Sequence, residues 1–77
     1  MPSQLDGSQV LDTYFLEMRA RVLEVAASLD RIERATGGDE VLASDERIAL
    51  LRQAFQILDS AGVSDRAEQV QLLFSRG

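Results

Sequence analysis

The chain has 77 residues, thirteen acidic and eight basic side chains and a net charge of -5, with neither cysteine nor histidine. This composition excludes disulfides, thiolate or imidazole metal sites and the commonest general base near neutral pH. Every basic residue is arginine, so a Schiff-base lysine and a phosphate-loop lysine are excluded too.

Residues 1–8 read as a polar lead-in, with Pro2 and Gly7 as breakers and Ser8 as a helix cap. No glycine or proline then interrupts the chain until Gly37-Gly38, so the spacing predicts one helix over residues 9–36, about 40 Å long at 1.5 Å per residue. Gly37 suits the left-handed position that ends it. Along this helix, Leu11, Phe15, Met18, Val22, Val25, Leu29 and Ile32 alternate in steps of four and three, an unbroken heptad stripe. Phe15, Val22 and Leu29 occupy a positions and the others d positions. Asp12, Arg19 and Glu33 flank it at e positions, and Tyr14 and Arg21 at g positions. Flanking charges of both signs are what interhelical pairing uses to set register and partner. A second, narrower stripe of Leu16, Ala20, Leu23 and Ala27 lies nearly opposite, its small residues permitting close approach of another helix.

Residues 38–43 read as a loop in which "DEVLA" forms at most a short turn. Ser44 is the expected cap of a second helix over residues 45–60, with its apolar face on Ile48, Leu51, Ala54, Phe55 and Leu58. Gly62 ends that helix. A third follows over residues 65–75, opened by Ser64 or by an Asp65–Glu68 capping box, with Ala67, Val70, Leu73 and Phe74 inward. The expected fold is a single all-α domain across residues 1–77. In it, the long N-terminal helix packs against the two shorter ones as a helical hairpin or three-helix bundle. Helices two and three together match helix one in length and are expected to cover its heptad stripe. The Leu16, Ala20, Leu23 and Ala27 stripe then lacks an intrachain partner and becomes the expected partner-binding face, covered by a second copy.

Three kinds of chemistry are weighed against that assembly role. Carboxylates such as Glu17, Glu24 and Glu33 would have to converge to hold a metal, but without histidine and with the acids off the apolar stripe they read as surface charges paired locally, as in Glu17–Arg21 and Asp30–Arg34. No cofactor is expected. Nucleophilic catalysis lacks a histidine or lysine to activate a serine, so a non-enzyme is expected. The "AGVS" turn before the third helix resembles the turn of bacterial helix-turn-helix regulators, which implies a following helix that enters the major groove and presents Asp65, Arg66, Glu68, Gln69 and Gln71. Leu58 stands where that family usually has a small alanine, and two acids at the helix start repel phosphates, so nucleic acid is not the favoured partner.

The stretches "YFLEMRARVLEVAASLDRIERA" and "DRAEQVQLLFSR" resemble a group of short bacterial helical proteins without assigned activity. That resemblance implies a bacterial, cytoplasmic protein and transfers no ligand residues. No apolar run approaches the roughly 20 residues of a membrane span, and no signal-peptide pattern opens the chain. The chain carries the dipeptide Asp-Arg twice, at Asp30-Arg31 and Asp65-Arg66, which raises one further expectation: Arg31 and Arg66, explained by neither a cap nor a strong local pair, face a common protein partner.

Overall fold

The computed structural model describes residues 5–75, which form four α-helices and no strand. These are α1 (Gly7–Arg34), α2 (Gly38–Ser44), α3 (Glu46–Asp59) and α4 (Arg66–Ser75). The all-α class expected from periodicity is what folds. Of the expected lead-in, residues 1–4 lie outside the described residues, while Gly7 and Ser8 already belong to α1.

Helix α1 begins two residues before its expected start because Asp6, not Ser8, caps it. The Asp6 carboxylate accepts from the Gln9 amide at 2.9 Å, and the Gln9 side chain accepts from the Asp6 amide at 2.9 Å. Two orphan amides are thereby satisfied by a reciprocal box of the D-x-x-Q type. The helix stops at Arg34, and two glycines then turn the chain for different reasons. Gly37 sits at φ 76°, in the left-handed region where only glycine is free of strain. Gly38 has an ordinary φ but is buried against the end of α1. A Cβ there would fall into the Ile32 carbonyl and 2.9 Å from the Glu33 carbonyl oxygen. The pair therefore does more than stop a helix: it presses α2 back onto α1.

Helix α2 occupies the stretch expected to be loop. Ser44 is its last residue, and its hydroxyl returns to the Glu40 carbonyl at 2.8 Å. Capping of α3 falls to Asp45, which accepts from the Arg47 amide at 2.8 Å and from the Arg47 guanidinium at 3.0 Å. These bonds pull the Asp45 carboxyl down to about 2. A carboxyl depressed in the folded state stabilises it above the ordinary value near 4 and loses that contribution as pH falls toward 2. Asp45→Asn keeps the cap oxygen but not the charge. Its thermal midpoint, followed by circular dichroism, should fall less than that of the wild type between pH 5 and pH 2. Parallel acid profiles for the two proteins would contradict this assignment.

Close backbone approach is confined to α1 with α2, α2 with α3 and α3 with α4; α1 and α3 nowhere bring Cα atoms within 8 Å. The molecule is accordingly elongated, 58 × 26 × 18 Å. The buried apolar side chains among the described residues are Ile48 (6% exposed), Ala54 (5%) and Leu73 (9%), two from α3 and one from α4. Helix α1 contributes none; only Ala27, Leu29 and Ile32 along it are even half-buried. No helix of the described residues is long and apolar enough to cross a membrane.

Candidate functional site: the open face of α1

Because α3 makes no close backbone approach to α1, the heptad stripe is not sealed by the chain itself. Leu11, Phe15, Met18 (55%), Val22 (68%) and Val25 are all exposed. Single exposed apolar residues are ordinary, but a contiguous stripe of large ones marks an interaction surface. Helix α3 does run back toward this stripe, leaving an open groove of about 410 Å³ between them. Val22, Val25, Ala26 and Leu29 form one wall and Phe55 and Leu58 the other, with Arg21 at the edge. Toward the α2 end the depression continues past Leu29 to Ile32 and Leu51. No Cα of α1 comes within 8 Å of α3, and Phe55 and Leu58 remain 38% and 58% exposed, so the groove between the two walls is open.

The residues expected to face a partner fall into two groups. Leu16 (73%), Ala20 and Leu23 are exposed, while Ala27 is half-buried. Their stripe is open, but so is the broader heptad stripe that was expected to be covered. Arg31 is exposed and reaches only the Ser28 hydroxyl, at 3.5 Å. Arg66 is different. It is half-buried and donates to the Ser60 carbonyl at the end of α3, tying the start of α4 to the α3 terminus. Helices α1 and α4 make no close approach, so the structure does not bring Arg31 and Arg66 together.

Around the stripe the charges divide into paired and unpaired. Glu17 and Arg21 join at 2.8 Å, and Asp30 and Arg34 stand at 4.0 Å, both i,i+4 pairs on exposed positions. The Glu17 hydrogen bond, then its charge, raises the Arg21 guanidinium above its ordinary value. Arg19 and Glu33, at the margin of the stripe, have no ion-pair partner among the described residues. No group of three or more acidic side chains there is placed to hold a metal ion. The α3–α4 connection spans six residues, Ser60–Asp65, with Gly62 at φ 77°. In it the Asp65 carboxylate accepts from the Gln69 side-chain amide at 2.7 Å, where a box with Glu68 was expected.

Compared with known proteins, the chain matches no family model, no curated protein and no solved structure.

Proposed function

We propose that this protein is a non-enzymatic interaction or assembly module that works through the amphipathic faces of α1, with a protein partner and in the first place a second copy of itself. One observation carries this: the whole exposed length of the α1 heptad stripe is left uncovered by a chain whose core, among the described residues, is three buried side chains. A 77-residue domain with so little buried apolar area gains stability by covering such a face. The hairpin or three-helix packing expected from sequence belongs to the same proposal, since the groove between α1 and α3 is closed once a further helix fills it. The Leu16, Ala20, Leu23 and Ala27 stripe offers a second, narrower face on the opposite side. An assembly role in the cytoplasm of a bacterial cell is consistent with the acidic, lysine-free composition and requires no cofactor.

The test is a photo-cross-linking side chain in place of Met18, with a matched probe at exposed Glu17, which lies off both apolar stripes of α1, used in native cell extract. The Met18 probe should give a discrete protein adduct on irradiation and the Glu17 probe should not. If neither position yields an adduct, or both yield the same smear, the heptad stripe has no dedicated partner and the assembly role through that face fails.

A further inference from the structure

The occupant of the groove can be specified further, resting on the assembly role just given. We infer that it is the N-terminal half of α1 from a second copy, running antiparallel, so that α1 and α3 of two chains make a four-helix bundle about a two-fold axis.

Three observations converge on this occupant. The first is shape. The chain carries both halves of a fit: a ridge of Leu11, Phe15 and Met18 that no other helix covers, and a groove of Val22, Val25, Leu29, Phe55 and Leu58 that no other helix fills. Ridge and groove lie on successive lengths of the same stripe. A two-fold axis across α1 near its Val22–Val25 segment therefore seats each ridge in the other chain's groove, the isologous arrangement of most homodimers.

The second is charge. In an antiparallel helix pair e positions face e positions, whereas in a parallel pair g faces e. The antiparallel register that sets Val22 opposite Val25 places Glu33 of each chain between Asp12 and Arg19 of the other along the e edge, so that Arg19, which like Glu33 lacks an ion-pair partner among the described residues, offsets the repulsion from Asp12. In the same register Met18 meets Leu29 beside Phe55, and Phe15 meets Ile32 beside Leu51, following the walls of the groove in order. A parallel pair would set Arg19 against Tyr14, Arg21 against Ala26 and Glu33 against Ser28, with no opposite charges matched.

The third is area. Ridge and groove together expose seven large apolar side chains, between 38% and 68% open. At roughly 100 Å² apiece they offer on the order of 700 Å² per chain, near the roughly 800 Å² per partner of a standard stable interface.

The full chain should be examined by sedimentation equilibrium as wild type, Arg19→Glu and Glu33→Arg, each alone and with the two variants mixed in equal amounts. Circular dichroism at the same concentrations controls for folding. The wild type should be a dimer at tens of micromolar. Each variant alone sets like charges together twice and should dissociate about tenfold more readily. The equimolar mixture should recover wild-type affinity, because a heterodimer of the two variants sets opposite charges together at both cross-chain contacts. A wild type that stays at the mass of one chain at several hundred micromolar would overturn the dimer; the photo-adduct at Met18 would still report whether a different protein takes the groove. A dimer indifferent to both substitutions, or a mixture no tighter than its parts, would overturn the antiparallel arrangement.

Discussion

Ile48→Ala should be the most damaging truncation in the chain. Ile48 is one of three buried apolar side chains among the described residues, and removing its outer atoms leaves a void that a sparse core cannot close by collapse. Such a change costs about 2–5 kcal/mol, while a domain of this length has only about 4–12 kcal/mol in all. The thermal midpoint should fall by roughly 10–30 °C, because each kcal/mol moves it by about 4–8 °C at this size. Ile48→Val, which removes a single methyl group, should cost only about 1 kcal/mol. The same truncation at exposed Leu16 should leave the midpoint of the isolated chain within a few degrees. Equal losses at Ile48 and Leu16 would show that stability does not reside in the α3–α4 core.

Gly38→Ala should rank second. The added Cβ meets the carbonyls of Ile32 and Glu33, which are backbone atoms and cannot swing aside as a side chain would. Relief requires α2 to lift off α1, at a cost of about 2–3 kcal/mol, the upper range for forced overpacking. Gly37→Ala is the informative comparison. Its Cβ would meet nothing within 4 Å, so the penalty there is only that of the left-handed conformation, about 1 kcal/mol. Chemical denaturation of the two variants should therefore place Gly38→Ala clearly below Gly37→Ala. The reverse order would mean that conformational strain, not close approach, is what the glycine pair relieves.

The contrast between the two glycines also shows what the sequence conveyed and what it withheld. Gly37 was legible, because a left-handed helix stop has a local signature. Gly38 was not, since its constraint comes from carbonyls five and six residues earlier that only the fold brings near. Helix α1 was legible within two residues at each end because its apolar spacing persists over three heptads. Helix α2, at seven residues, is too short for periodicity to distinguish it from a turn. Missing it displaced the cap from Asp45 to Ser44 and, more consequentially, led to the expectation that α3 lies directly on α1. Matching helix lengths gave that expectation, and length arithmetic contains no information about how far apart a connector holds two helices. For the candidate site, the residues of both stripes were visible, but their exposure was not: Leu16 and Leu23 are open as expected, and so is the heptad stripe from Leu11 to Val25 that was expected to be covered. Arg66 had no sequence signal for its role, because its acceptor is a backbone carbonyl six residues back.

From Gly7 to Ala26 every residue of α1 is exposed, so this arm is held in shape by little besides its own ladder of backbone bonds. A helix of about twenty residues without tertiary support is marginal in water. Under the proposed pairing, the order of the arm follows association: a chain that meets its partner gains both the contact and the helix, while a solitary chain meets the entropic cost of each alone. Dilution would then loosen the arm before it disturbs α2, α3 and α4.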